Sequence, residues 1–250
     1  MSGKSTAKAL KFVCGFAAFT ALLLLCALAL NFAFNAAEKR RRGVPVSGEI
    51  STKPIFLIDA GHGGIDGGAV GHSGSLEKDI NLAVSLKLGS LLDACGAQVT
   101  YTRTCDEMLE GEDGSTPKVR DIRKRVSLAD SCGGTLVSIH MNSYPAAKYS
   151  GLQVFFAENG TGSDVLANAV QNKVRTELQN SNNREAKPAP PSVWLTSHVK
   201  SPAIIVECGF ISNPEEETLL LQEDYRRRLS AVLCAALLES RLPPGGSCQP

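Results

Sequence analysis

Three short apolar runs in this chain end in side chains that can bind a metal or move a proton. Ile55–Asp59 leads into Gly61-His62-Gly63-Gly64, Thr135–Ile139 into His140-Met141-Asn142, and Ala203–Val206 into Glu207-Cys208-Gly209. A further carboxylate, Glu77, opens a helical segment just after the glycine-rich loop. Two histidines and one carboxylate can hold a hydrolytic zinc ion through three ligands and leave one position for water. Glu207 could then serve as general base toward that water. The glycines around His62 allow a sharp turn and keep side chains off the metal's open side. Plainer readings exist for each residue. A strand-end histidine is often a hydrogen-bonded core residue, and Glu77 suits a helix N-terminus through the macrodipole alone. Glu207 resists such a reading, because a carboxylate ending a buried β-branched strand must be paired or used. His72, in a Gly/Ser-rich loop, and His198, in a polar turn before Ser201-Pro202, read as solvated loop histidines.

The elements that must carry these residues are visible as periodicity. Ile55–Asp59, Gln98–Thr102, Thr135–His140, Leu152–Phe156 and Ala203–Cys208 read as strands. Between them, Asn81–Ala94 carries a stripe of Leu82, Leu86, Leu88, Leu91 and Leu92 that Gly96 terminates. Lys118–Ser131 places Ile122, Val126 and Ala129 on one face, with Arg120, Arg123, Lys124 and Arg125 around it. Ser163–Leu178 and Tyr225–Leu242 repeat apolar residues at helical spacing, and Leu219–Leu221 closes a short helix. Strands alternating with helices predict an α/β fold with a twisted, mostly parallel sheet and helices on both faces. In such sheets the carboxyl ends of the strands are the usual place for a site. The pattern places a polar linker at 35–54, one folded domain at 55–242 and a flexible tail at 243–250.

Charge divides unevenly. Residues 1–42 hold seven basic residues and one acid, which leaves 19 basic against 24 acidic residues for the remainder. That acidic body argues against nucleic acid as a partner. The early basic residues bracket Phe12–Phe34, a nearly unbroken apolar stretch of 23 residues. As a helix it would be roughly 34 Å long, enough to cross a bilayer. We read 12–34 as a transmembrane anchor or uncleaved signal behind a cytoplasmic tail at 1–11, since no small-x-small cleavage site follows. The basic residues before and after it nearly balance, so charge does not decide its orientation. Of the eight cysteines, the six outside that stretch form no Cys-x-x-Cys pair and read mostly as structural filler.

Five ordered stretches then carry a resemblance. Asp59-Ala60-Gly61-His62-Gly63-Gly64, Glu77-Lys78-Asp79-Ile80-Asn81-Leu82, Thr102-Arg103, Ser138-Ile139-His140-Met141-Asn142 and Glu207-Cys208-Gly209-Phe210-Ile211-Ser212-Asn213 resemble the motifs of the zinc-dependent N-acetylmuramoyl-L-alanine amidases of the Amidase_3 type. The likeness spans about residues 55–242. It implies a phosphorylase/hydrolase-like zinc-amidase fold and one zinc ion per chain on His62, Glu77 and His140, with Glu207 as catalytic base. Arg103 and Asn142 fall inside matching motifs, which implies a role behind the ligands or toward substrate. The implied reaction is hydrolysis of the amide between N-acetylmuramic acid and L-alanine in peptidoglycan. Within the family the chain is most similar to the germination-specific sporulation amidases, which clear stems so that muramic-δ-lactam can form in spore cortex. That substrate implies a membrane-anchored enzyme whose catalytic domain lies outside the cytoplasmic membrane, in the cell wall or the forespore intermembrane space. An accessory activator protein or a homodimer stays open. Division amidases of the family insert an inhibitory helix after the second histidine motif. Only Ser143–Ser150 stands there in this chain, so an open groove is expected. A zinc exopeptidase or deacylase, and a non-catalytic wall-binding protein, are the rival readings.

Overall fold

The computed structural model describes residues 53–111 and 114–240. The apolar segment at 12–34, the tails and nearly all of the 35–54 linker lie outside those residues. Among the described residues, no helix is long and apolar enough to cross a membrane.

Six strands form one sheet: β1 (Ile55–Ala60), β2 (Gln98–Tyr101), β3 (Thr135–Asn142), β4 (Gln153–Phe156), β5 (Lys187–Pro188) and β6 (Ala203–Phe210), in the order β2-β1-β3-β6-β4-β5. The helices are α1 (Glu77–Ala94), α2 (Pro117–Cys132), α3 (Ser163–Glu177), α4 (Trp194–His198), α5 (Pro214–Leu221) and α6 (Glu223–Glu239).

The two-residue period of the central strands sorts their side chains. Phe56 and Ile58, Val137, Ile139 and Met141, and Ile204, Val206 and Cys208 enter the larger core with residues of α1, α3, α5 and α6. Leu57, Leu136 and Ala203 point the other way, into a smaller core with residues of α2 and α4. By the same alternation Asp59, His140 and Glu207 belong to this second, thinly covered face. The sheet is thus buried on both sides, as expected, and its polar strand ends open on the side with fewer helices.

The sheet is mixed. β1 pairs in parallel with β2 and β3, and β3 with β6, but β4 runs antiparallel to β6. Only a short loop without a helix joins β3 to β4, whereas a parallel return needs a crossover of a dozen residues or more. Helix α1 starts at Glu77, as expected, and buries Ile80, Val84, Leu88 and Leu92. Leu82 and Leu86 of the expected stripe are only half-buried. The short helix expected at Leu219–Leu221 begins at Pro214, because Asn213 caps it by accepting from the amides of Glu215 and Glu216 at 2.9 and 3.3 Å. Helix α4 and the two-residue β5 were not foreseen. His198 therefore sits in α4, exposed and stacked on Trp194, rather than in a turn, while His72 is an exposed loop residue as expected.

Candidate metal centre

His62 and Glu77 reach the site from the β1–α1 connection and the first residue of α1, while His140 lies on β3. Glu77 Oε1 faces both rings, 3.3 Å from His62 Nε2 and 3.0 Å from His140 Nδ1. One ligand atom from each residue lies within 4.8 Å of the other two. Ligands bonded at about 2.0–2.1 Å around a tetrahedral zinc stand about 3.3–3.4 Å apart, so this nitrogen, nitrogen and oxygen set fits that ion. The rings meet edge to face, their centres 5.0 Å apart, so neither blocks the other's nitrogen.

Local backbone chemistry explains how the three converge. His62 adopts a left-handed φ of 60°, unusual for a residue with a side chain. Three buried or half-buried groups hold it there. Arg125 donates from Nη2 to the His62 carbonyl at 2.8 Å and from Nη1 to the Ala60 carbonyl at 2.9 Å. Arg103 donates to the carbonyls of Ala60 and Gly61 at 2.9 and 3.0 Å. Asp66 Oδ2 lies 3.0 Å from His62 Nδ1, which turns Nε2 toward Glu77. At Gly61 a Cβ would stand 2.2 Å from His140 Cε1, so only glycine lets that ring into place.

Electrostatics separate the two glutamates. Burial alone would raise the Glu77 carboxyl, but the adjoining His140 and His62 outweigh it and drive it far down. Met141 and Ala69 amides also donate to Glu77 at 3.1 and 2.8 Å. Glu207, the register partner of His140 on β6, has no such support. Its Oε2 is sealed from solvent and makes no hydrogen bond. Burial, with the Glu77 charge, pushes its carboxyl up to about 7 against the pull of the histidines. Glu207 and His140 line a cavity of about 400 Å³ whose walls include Ile122, Phe155, Val193 and Ile205.

Residues 56–239 match the family model Amidase_3, described as N-acetylmuramoyl-L-alanine amidase. The chain belongs to that amidase family. This Amidase_3 member is 36% identical over 235 residues to the germination-specific N-acetylmuramoyl-L-alanine amidase of Bacillus subtilis (strain 168), across 92% of this chain and 93% of that protein. Its fold matches the CwlD amidase from Clostridioides difficile, solved in complex with the GerS lipoprotein, with a TM-score of 0.70 and 33% identity over 75% of this chain and 97% of that one. The amidase AmiC2 of Nostoc punctiforme matches with a TM-score of 0.65 and 28% identity, over 75% and 97% of the two chains.

Of the six residues singled out from the amidase motifs, His62, Glu77 and His140 form the cluster and Glu207 lies beside it. Asn142, at the end of β3, lines the same cavity. Arg103 is buried, with all of its bonds given to carbonyls of Ala60, Gly61, Lys78 and Cys105, so it braces the loop and does not face a substrate. Sequence reasoning missed Arg125, grouped with the solvated charges of its helix. It is buried and bridges Asp59 and Asp121. The signal was available: Arg125 is three residues from Ile122, on the apolar face, and four from Asp121, the spacing of a helical ion pair. Asp66 was missed too, since no pattern marks a loop carboxylate as a histidine partner. Cys208 and Cys234 are buried, as structural filler should be, but Cys95 and Cys105 are exposed. Burial pushes the Cys208 thiol well up, so it is no nucleophile.

Proposed function

We propose that the chain is a zinc-dependent N-acetylmuramoyl-L-alanine amidase that removes whole peptide stems from peptidoglycan, with His62, Glu77 and His140 holding the metal and Glu207 acting as general base. The observation that carries this reading is the unpartnered, sealed carboxylate oxygen of Glu207 beside a preassembled three-ligand cluster. Burying such a group without a partner is costly, and a proton-transfer role accounts for it. Zinc, when bound, supplies Lewis acidity toward the scissile carbonyl and acidifies water.

The protein's own groups do the rest. Glu207, balanced near neutrality by its surroundings, takes a proton from the attacking water and returns it to the departing L-alanine nitrogen. Ile122, Val193 and Ile205 line the same cavity as the carboxylate, and an apolar lining favours its protonated form. Asp66 fixes the orientation of His62, and the Arg103 and Arg125 braces hold its loop before any ligand arrives.

The likeness to a germination-specific amidase supports spore cortex as the wall material, with stem removal preceding muramic-δ-lactam formation. That substrate supports a domain outside the cytoplasmic membrane, with the apolar segment at 12–34 as the proposed anchor. The neighbour solved with a lipoprotein supports an accessory partner here as well. Product chemistry tests the core reading. Purified chain and zinc acting on peptidoglycan should yield intact free stems and stem-free muramic acid, resolved by mass spectrometry. Release of single amino acids would indicate an exopeptidase and sink the proposal.

A further inference from the structure

Beside the strand ends that carry the site, four side chains form a continuous stack. The Arg184 guanidinium lies 4.4 Å from the Phe210 ring centre, Phe210 lies 6.2 Å from Tyr149 at a 30° tilt, and Tyr149 lies 4.7 Å from Tyr144, nearly perpendicular. The inner end is buried, Phe210 being 4% exposed, and the outer end is open, with Tyr149 37% and Tyr144 51% exposed. Lys148 Nζ stands 5.5 Å from the Tyr149 ring centre at the rim.

This stack is an extension of the two site-bearing strands. His140 pairs with Glu207, and the next pair along the strands is Asn142 with Phe210. Two strand residues span about 7 Å, so along β3 the backbone of Asn142, paired with Phe210, lies about one sugar-ring length from that of His140. The backbone that carries the rings is also held in place. The Tyr144 amide donates to Ser212 Oγ at 3.0 Å, Asn213 Nδ2 to the Tyr149 carbonyl at 3.1 Å, and Arg184 Nε to the Ser150 carbonyl at 2.7 Å.

Exposed aromatic rings in a fixed position mark a surface that meets a partner, because burying them gains apolar area at little entropic cost. The neighbours narrow the kind of partner. Tyr149 and Arg184 line a groove with Ser150, Asn180, Asn183 and Asn213, where Leu219 is the exposed aliphatic member, so a mostly polar lining favours a hydroxyl-rich partner over an apolar helix face. The body of the chain is net acidic, which disfavours nucleic acid. A pyranose ring has an apolar C–H face and a hydroxyl edge. Tyrosine matches both, with its ring face and its phenolic OH.

We propose that Tyr144 and Tyr149 form a saccharide platform that seats the glycan strand next to the muramoyl amide to be cut. The proposal rests on the amidase reading and assigns the tyrosines to positioning. Its test compares two substrates in zinc-loaded full chain: glycan strands that retain their stems, and a single N-acetylmuramoyl peptide with no neighbouring sugar. Tyr144→Ala should raise KM for the strands by roughly three- to tenfold with kcat nearly unchanged, and leave KM for the single muramoyl peptide as it was. Tyr144→Trp should restore the strand KM, and zinc content should not move in either variant. An equal KM change on both substrates, no change on either, or failure of the tryptophan rescue overturns the platform. Wild-type chain that releases no stem from either substrate, with or without added cell extract, overturns the amidase reading instead, and the platform with it.

Discussion

Two glutamates of the same site sit in opposite environments, and the contrast predicts opposite behaviour. Glu77 accepts from two amides and faces two imidazoles, so it stays ionised and ready to ligate. Glu207 keeps one oxygen without any partner. Replacing Glu207 by Gln keeps its shape and removes its basicity, so zinc content should hold while turnover falls by about 100-fold or more. Glu77→Gln should instead lower zinc content, and metal analysis of both variants beside their rates separates the roles. Equal zinc loss in the two would reverse the assignment. The histidines add a pH signature. Burial would lower His62, yet Glu77 and Asp66 outweigh it and its proton is held more tightly than usual. Metal must displace that proton, so zinc affinity should go on climbing as pH rises above the ordinary imidazole value of 6.5, read by chelator competition.

Helix α5 braces both loops that border the site. Glu216 accepts from the Phe210 and Gly151 amides at 2.7 and 2.9 Å, which holds the connection after β3. Glu217 accepts from the Ser73 amide and from the hydroxyls of Ser73 and Ser75, which pins the loop leading into Glu77. This brace depends on the Asn213 cap, whose side chain satisfies two otherwise unpaired amides. Asn213→Ala should cost about 1 kcal/mol of stability in denaturant unfolding. Glu217→Ala should do more locally, with faster amide exchange at residues 71–75 than in the wild type while the exchange of β3 stays slow. Unchanged protection of that loop would mean that Glu217 is not its anchor.

Over the whole molecule, the thin face of the sheet is held by an ionic core as much as by its small apolar one. Burial would raise the Asp59 carboxyl, but Arg125, Ser138 and Thr102 bring the net below its ordinary value of 3.8. A carboxyl depressed on folding contributes stability that is complete above its unfolded pKa and is lost as pH falls through the folded one. Acid unfolding should therefore deepen below about pH 4, and Asp59→Asn should flatten that part of the stability curve. It should also lower stability at neutral pH, because Arg125 loses a buried partner. Access to the site is a second property of the molecule at this scale. Only a short loop follows β3, so no segment among the described residues stands ready to plug the site. Zinc-saturated chain should cut soluble muropeptide strands without an activator. Inertness at saturating zinc together with a response to cell extract would establish an obligate partner. If a partner acts only by retaining metal, added zinc should replace it.

How much of this was legible in the sequence depends on how local each cause is. Strand alternation, helix periodicity and the glycine-punctuated turns are set by neighbours in the chain, so β1, α1, α2, β3, α3, β6 and α6 could be placed from residues alone. The motif residues His62, His140 and Glu207 were visible because each follows an apolar run, where a polar group calls for explanation, and Glu77 because it opens a helix just after the glycine-rich loop. The reversal of β4 depended on a connection too short for a parallel return, and β5 and α4 were too short to generate a period. Arg125 looked like one more surface charge until packing buried it against Asp59, 66 residues away. Asp66, the Glu217 clamp across 144 residues and the tyrosine stack are likewise contacts between distant segments. The sequence by itself determined which residues could do the chemistry, because side-chain type and local period are properties of the chain. Only the tertiary structure decided how those residues are aimed, because orientation is fixed by hydrogen bonds and packing that exist once remote segments meet.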